Sequence, residues 1–207
     1  MEDVLDVYKR PYNPKRPQVC FDERPKQLVA EARNPLPVSA GQPARYDYEY
    51  RRNGVANIFM MFEPLAGKRY VKLTQRRTKT DFAECVRILV DQIYPHVEQV
   101  VLVMDNLNTH TKTSLYEAFE PVEAKRIVDK LEIHYTPKHG SWLNMAEIEI
   151  SVMARQSLAE RMGRTERLEA EVMAWAEKRN VKEAKVDWRF TTADARIKLK
   201  RLYPSIE

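Results

Sequence analysis

The apolar positions of the chain fall into continuous runs and into helical repeats, and the continuous runs carry the clearest signal. Residues Val100–Met104 are all apolar, and the run ends abruptly at Asp105. Such a run predicts a strand that is buried on both faces of a sheet. A shorter apolar run at residues 19–21 ends in the same way at Asp22. Both patterns predict a strand that presents a carboxylate at its carboxyl end, where open α/β sheets bind their ligands.

Other segments show the periods of amphipathic elements. Apolar residues recur at helical spacing over residues 80–94 and again over 111–129, where Pro121 predicts a break. A hairpin is predicted over residues 55–74 and a further strand over 131–135. The predicted order is strand, hairpin, helix, strand, helix, strand. This order indicates an α/β fold with a mixed sheet and crossover helices.

Two proline-rich segments interrupt the periodic pattern. Residues 8–17 hold three prolines and four basic residues, which exclude a helix there and predict an extended linker. Residues 24–54 contain four prolines, lack a clear period and close with a mixture of tyrosine and arginine that includes Tyr46. A stretch of this kind predicts a long loop with a contact surface. Solvated segments without a partner are the alternative interpretation of both.

The overall composition fits one folded domain of 207 residues, because 43% hydrophobic and 31% charged residues exclude a wholly disordered chain. The net charge of +5 permits nucleic acid as a partner without requiring it. Cys20 and Cys85 lie far apart and lack the spacing of a zinc site or a disulfide framework. Since no apolar run approaches the roughly 18 residues of a membrane span, we expect a soluble intracellular protein.

A third carboxylate is expected from the helix that follows Asn144, a predicted N-cap. Two residues along a helix rotate the side chain by about 200°, so only one of Glu147 and Glu149 can face the sheet edge. Glu147 shares its stripe with Ser151 and Leu158, a track suited to packing on a sheet. We therefore choose Glu147 and keep Glu149 as the alternative. A capping interaction with its own helix is the other interpretation of Glu147.

Asp22, Asp105 and Glu147 would form a carboxylate cluster without an obvious counterion. Like charges at such distances cannot all stay ionised without a cation, and hard oxygen ligands suit Mg²⁺ or Mn²⁺. Two such ions about 3.5 to 4 Å apart stabilise the attacking and leaving oxygens of a phosphoryl displacement. The cluster therefore predicts a two-metal enzyme that acts on phosphodiesters. An Asp-Asn pair after a strand is also ordinary turn chemistry, so the assignment depends on all three acids together.

Three segments resemble the catalytic motifs of DDE transposases. They are Val-Cys-Phe-Asp-Glu at residues 19–23, Met-Asp-Asn-Leu-Asn-Thr-His at 104–110, and Pro-Lys-His-Gly-Ser-Trp-Leu-Asn-Met-Ala-Glu at 137–147. The branch that they resemble is the bacterial insertion-sequence family six-thirty, which is related to the mariner elements. The resemblance covers nearly the whole chain. It implies an RNase H-like fold, a mixed five-stranded sheet with helices on both faces, as in integrase and transposase catalytic cores.

The resemblance also implies roles for residues. It makes Asp22, Asp105 and Glu147 the catalytic and metal-binding triad, with two Mg²⁺ or Mn²⁺ ions, for cut-and-paste DNA transposition. The second and third acids are 147 − 105 = 42 positions apart, which is wider than in most mariner relatives, and the predicted helix near residues 121–129 can absorb the difference. His110 matches the second motif, where we expect it to orient that edge of the site without being a ligand.

The resemblance further implies a domain organisation and partners. Residues 1–17 are expected to be a basic linker, 18–180 the catalytic domain with 24–54 as a clamp against a second subunit, and 181–207 a basic tail with a short helix. We expect a homodimer that binds element ends and target DNA in the bacterial cytoplasm, associated with the nucleoid, with a separately encoded helix-turn-helix segment as a further partner. Candidate phosphate contacts are Lys15, Arg16, Arg51, Arg52, Lys138, Lys198 and Arg201. The alternatives are a non-catalytic DNA-binding or interaction remnant and an RNase H-like nuclease.

Overall fold

The computed structural model describes residues 1–33, 36–45, 47–138 and 140–203. The strands are β1 (Gln18–Glu31), β2 (Tyr50–Glu63), β3 (Lys68–Thr74), β4 (Val100–Met104) and β5 (Leu131–Tyr135). The helices are α1 (Glu2–Tyr8), α2 (Lys79–Ile88, extended by a π-helical turn over Leu89–Ile93), α3 (Lys112–Ala118), α4 (Pro121–Asp129), α5 (Met145–Ser157), α6 (Thr165–Val181) and α7 (Thr192–Lys198), with 3₁₀ turns at Ser141–Leu143 and Lys200–Leu202. Tyr46, His139 and residues 204–207, which the sequence analysis placed in the contact loop, the third motif and the tail, lie outside the described residues.

The five strands form one mixed sheet in the order β3-β2-β1-β4-β5. Strand β2 is antiparallel to both β1 and β3, whereas β1, β4 and β5 run parallel. The parallel register pairs Cys20 with Val103. Two positions further along each strand stand Asp22 and Asp105, so the register itself brings the two acids to the same edge.

Both faces of the sheet are covered, as predicted. Alternate residues of the central strands, among them Cys20, Met60 and Val103, pack against α1, α5, α6 and α7. The intervening residues, among them Phe21 and Leu102, pack against α2, α3 and α4. Because β4 is covered by helices on both faces, its apolar run needs no polar alternation.

The amino-terminal segment corrects one prediction. Residues 1–17 were expected to be a linker, yet α1 is helical, and Val4, Leu5 and Val7 are fully buried against the sheet. Tyr8 donates a hydrogen bond to the carbonyl of Leu143, at a distance of 2.6 Å. The prediction is wrong for this helix because seven residues are too few to display a helical period, and their burial depends on the distant sheet.

The predicted long loop over residues 24–54 is wrong at both ends, although its central part does connect two strands. The pairing of β1 with β2 continues to Glu31 and Tyr50, so that only residues 32–49 connect the two strands. Pro25 is tolerated because β4 pairs with β1 only from Gln18 to Cys20, and beyond that point β1 has an open edge. The distal halves of β1 and β2 thus form an arm that extends past the rest of the sheet.

The predictions are confirmed for β5, for the helix over residues 80–94 and for the break at Pro121. Thr78 and Asp81 form a complete capping box at the start of α2, and α3 and α4 are separated at Pro121. Thr191 and Asp194 cap α7 in the same way. None of the helices in the described ranges is both long and apolar enough to cross a bilayer.

Candidate active site

The three predicted acids line one cleft at the carboxyl edge of the parallel strands. The cleft has a volume of about 450 Å³, and its lining includes Asp22, Asp105 and Glu147. Asp22 lies within β1, Asp105 follows β4 directly, and Glu147 stands in the first turn of α5. The structure therefore brings together side chains that are separated by 83 and 42 positions in the sequence (105 − 22 and 147 − 105).

A buried asparagine fixes the start of α5 against β1. Asn144 is the N-cap of α5, where its Oδ1 accepts a hydrogen bond from the backbone N–H of Ala146 at 3.1 Å. Its Nδ2 donates to the carbonyl of Phe21 at 2.9 Å and to Oδ2 of Asp22 at 3.3 Å. One side chain therefore both caps the helix and sets the position of Glu147 relative to Asp22.

The electrostatics of Asp22 indicate a shortage of positive charge in the cleft. Burial, together with the negative charges of Asp105, Glu23 and Glu147, raises the pKa of Asp22 from 3.8 to about 7, in spite of a lowering hydrogen bond from the backbone N–H of Glu23. Ionised Asp22 is therefore disfavoured unless a cation enters the cleft.

The donor set fits a divalent metal ion in chemical kind, since Asp22, Asp105 and Glu147 offer carboxylate oxygens, the ligands that Mg²⁺ and Mn²⁺ prefer. Throughout the ranges that the structure describes, however, no group of three or more Asp, Glu, His or Cys side chains is arranged so that it could hold a metal ion. Binding a shared ion therefore requires the carboxylates to rotate towards one another.

Asp105 is held from behind by a buried histidine. Nδ1 of His110 lies 2.5 Å from Oδ1 of Asp105, and Nε2 lies 2.8 Å from Oε2 of Glu23. Burial lowers the pKa of His110, but the contacts with Asp105 and Glu23 outweigh it and raise this pKa to about 9. Glu23 also lines the cleft. It follows Asp22 in the first motif, but it was not predicted as a site residue from the sequence.

Glu147 and Glu149 have different environments. Glu149 is buried and forms ion pairs with Arg69 (Nε to Oε1, 2.7 Å) and Arg179 (Nε to Oε1, 2.6 Å). The face of α5 that packs on the sheet holds Glu149 and Met153, whereas Glu147 stands at its margin and lines the cleft. The stripe argument used to choose Glu147 is therefore wrong, although Glu147 is the acid that reaches the cleft.

The predicted phosphate contacts lie elsewhere on the surface. The seven candidates, none of which is part of the described cleft lining, are Lys15, Arg16, Arg51, Arg52, Lys138, Lys198 and Arg201. Arg24 and Arg77 line the cleft instead. Their spacing gave no signal, because the positions of both depend on the pairing of distant strands.

The seven candidates occupy four regions. Lys15 and Arg16 contact Glu98 and Glu132 at the amino edge of the sheet, roughly 13 Å of strand away from Asp105. Arg51 and Arg52 are exposed on the distal arm of β2, and Lys138 is exposed in the turn after β5. Lys198, at 5.7 Å from the ring of Phe190, and Arg201 belong to the carboxyl-terminal helical segment.

Comparison with known proteins finds solved structures that share this architecture. A crystal structure of the Mos1 mariner paired end complex with Mn superposes with a TM-score of 0.58 at 17% identity, covering 88% of this chain and 55% of that one. A Mos1 strand transfer complex superposes with a TM-score of 0.59 at 17% identity, covering 88% of this chain and 55% of that one. A pre-cleavage Mos1 transpososome superposes with a TM-score of 0.58 at 18% identity, covering 88% of this chain and 59% of that one. The chain thus spans just over half the length of these proteins. The likeness shows the fold, which is RNase H-like as expected.

No curated protein matches the chain. Residues 17–169 match the family described as DDE superfamily endonuclease, and this match includes all three acids and every strand of the sheet. The chain therefore belongs to the family of DDE superfamily endonucleases.

Proposed function

We propose that this chain is the catalytic domain of a DNA transposase that cleaves and transfers DNA strands at the ends of an insertion sequence. The observation that carries the proposal is the convergence of Asp22, Asp105 and Glu147 on one cleft in a member of an endonuclease family. The three motifs described above assign it, within that family, to the bacterial insertion-sequence branch six-thirty. Its substrates would be element ends and target DNA.

Each side chain of the cleft has a proposed role. Asp22, Asp105 and Glu147 would hold divalent metal ions, Mg²⁺ or Mn²⁺, which when bound neutralise negative charge on a reacting phosphodiester. Arg24 and Arg77 line the same cleft and provide positive charge for the phosphate backbone. Asn144 keeps the carboxylate of Asp22 oriented through its Nδ2 hydrogen bond.

We further propose that the chain acts as a dimer. The arm of β1 and β2 carries exposed aromatic side chains near its tip, with Tyr48 85% and Tyr50 48% exposed. Exposed tyrosines are common at the centres of protein interfaces. The clamp against a second subunit is therefore assigned to residues 32–49 and the adjoining strand ends. The basic residues on the arm and on the carboxyl-terminal helix are proposed to contact DNA, and a separate helix-turn-helix segment to recognise the element ends.

The proposal is tested by nicking of supercoiled plasmid DNA in the presence of Mn²⁺ or Mg²⁺. Asp22→Asn, Asp105→Asn and Glu147→Gln should each reduce the nicking rate by at least about 100-fold, because each removes an interaction with the developing charge. Glu63→Gln is the matched control, since Glu63 is a buried acid outside the cleft that bonds Tyr94. Undiminished cleavage by the three cleft variants would refute the assignment.

Strand transfer separates a transposase from a nuclease of the same fold. A linear DNA that carries the inverted repeats flanking the gene should become joined to a target plasmid. Cleavage without joining would support the nuclease interpretation, and neither reaction would support a non-catalytic remnant.

A further inference from the structure

A chain of contacts runs from the cleft into the protein interior. It begins at Asp105, whose side chain is 32% exposed, and passes through His110 (0%) to Glu23 (1%). The two nitrogens of the imidazole face two different carboxylates, at 2.5 Å and 2.8 Å. One oxygen of Asp105 is thereby engaged by the protein, and the other is left to the cleft.

The imidazole of His110 is fixed in its direction by its neighbours. Its ring packs edge-on against Phe21, with centroids 5.4 Å apart, and tilted against Phe82 at 4.9 Å. The hydroxyl of Tyr135 donates to the backbone carbonyl of His110 at 3.0 Å. The ring therefore cannot rotate away from Asp105 without displacing the core that surrounds it.

Glu23 reaches the imidazole because of strand alternation. Successive residues of a strand point to opposite faces, so Asp22 lies on the side of α5, whereas Glu23 lies with Phe21 on the side of α2. Oε2 of Glu23 approaches His110 as an ion pair and not as an in-line hydrogen bond. Arg77 approaches Oε1 at 3.5 Å. One strand thus supplies Asp22 to the cleft from one face and Glu23, which also borders the cleft, from the other.

We infer that His110 and Glu23 are positioning residues that act in series on Asp105. His110 holds one oxygen of Asp105 so that the other is presented to a divalent ion, and Glu23 holds His110 in the orientation that this requires. The inference rests on the proposed function, since it assumes that Asp105 is a metal ligand. Groups that orient metal ligands in this way typically alter metal affinity by about 10- to 100-fold when they are mutated.

The test measures Mn²⁺ binding to the full chain by electron paramagnetic resonance of the free ion, without DNA and without an activity assay. Glu23→Gln keeps the shape of the side chain and removes its charge, and we expect it to weaken Mn²⁺ binding by about 10-fold or more. His110→Asn places an amide nitrogen near the position of Nδ1, whereas His110→Gln places one near Nε2. We therefore expect the Gln variant to lose more affinity than the Asn variant.

A double variant tests action in series. Adding Glu23→Gln to His110→Asn should cause no further loss, because the contact through which Glu23 acts is already absent. Additive losses, or Mn²⁺ affinity in Glu23→Gln equal to that of the wild type, would overturn the inference. Glu23→Gln alone decides this if the His110 variants fail to fold.

Two controls separate positioning from general damage and from failure of the proposed function. Glu63→Gln alters a comparably buried acid, and an equal loss of Mn²⁺ affinity there would show that the effect is structural and overturn the inference. Asp105→Asn should abolish the tight Mn²⁺ site. Unchanged binding in Asp105→Asn would refute the proposed function, whereas loss there with full binding in Glu23→Gln and His110→Gln would refute only the positioning role.

Discussion

The carboxylates on and around α5 fall into two groups, which differ in whether the protein itself balances their negative charge. Glu149 is enclosed by Arg69 and Arg179, so its charge is balanced by the protein itself. Glu147, two residues earlier, lines a cleft with Asp22 and Asp105. Among the described residues, Asp22 and Glu147 form no ion pair, and Asp105 pairs only with His110. Glu149 links α5 to β3 and α6 through its ion pairs. Asp22, Asp105 and Glu147 are instead positioned to receive a cation.

The balanced group shows what a structural ion pair requires. Arg69 is fully buried, and besides Glu149 it donates to the carbonyls of Gly67 (2.7 Å) and Ala184 (2.6 Å). Its guanidinium carbon lies 4.3 Å from the ring centre of Phe62. This one side chain joins β3, α5 and the end of α6. The cleft acids lack such partners, and burial together with their mutual repulsion keeps the pKa of Asp22 raised.

The largest expected effect on stability comes from removing an arginine that pairs with Glu149. Arg69→Met leaves Glu149 buried with one cation fewer, and we expect the free energy of unfolding to fall by about 3 to 5 kcal/mol. Urea denaturation measures the change. Arg189→Met is the control, since Arg189 is 87% exposed and, within the described residues, pairs only with Asp187. A loss below about 1 kcal/mol for Arg69→Met would contradict the structural role of this ion pair.

The next effect is a gain in stability, and it comes from Asp22 in the cleft. Because burial and nearby acids raise the pKa of Asp22 from 3.8 to about 7, the folded protein binds more protons than the unfolded chain between these values. Stability of the metal-free protein must then fall as the pH rises through this interval. Asp22→Asn should remove that fall and gain roughly 4 kcal/mol at about pH 8, with little gain at about pH 4.

The measurement is urea denaturation in the presence of a chelator, with Asp187→Asn as an exposed control. Added Mn²⁺ should stabilise the wild type and leave Asp22→Asn unchanged, since only a site that binds in the folded state shifts the equilibrium. A variant less stable than the wild type at both pH values would show that Asp22 is not a source of repulsion.

The sequence predicted those features that local pattern determines. The apolar run of β4 and the break at Pro121 each depend on neighbouring residues, and each is confirmed. Asp22 and Asp105 were identified because each ends an apolar run. The first two acids then meet through the parallel register of β1 and β4, a property of the whole sheet that the repeated strand pattern anticipates.

The features that were predicted wrongly depend on contacts between residues that are far apart in the chain. Helix α1 is stabilised by burial against the sheet and by Tyr8, whose partner Leu143 is 135 positions away. Pairing with β2 holds β1 extended past Pro25, in spite of the local proline signal. The environment of Glu149 could not be predicted, because Arg69 is 80 positions before it and Arg179 is 30 positions after it.

A smaller effect is expected at Asn144, the N-cap of the helix that carries both Glu147 and Glu149. Asn144→Ala removes the cap of α5 and the contacts with Phe21 and Asp22, and we expect a loss of about 1 to 2 kcal/mol. Asn144→Asp keeps an oxygen for capping but adds a negative charge beside Asp22. If the cap alone matters, Asp should restore stability; if the cleft is short of positive charge, Asp should restore it only in the presence of Mn²⁺.

The smallest change in stability should accompany Glu147→Gln. Glu147 is half-buried at the margin of α5 without an ion pair in the described part of the chain, so its neutral analogue should shift the free energy of unfolding by less than about 0.5 kcal/mol. Glu149→Gln is the matched variant on the same helix, where two arginines lose their counterion. Urea denaturation should rank Glu149→Gln far below Glu147→Gln in stability, while plasmid nicking should rank them in reverse. Equal destabilisation by both would mean that Glu147 is also a structural acid, and the contrast between the two groups would be lost.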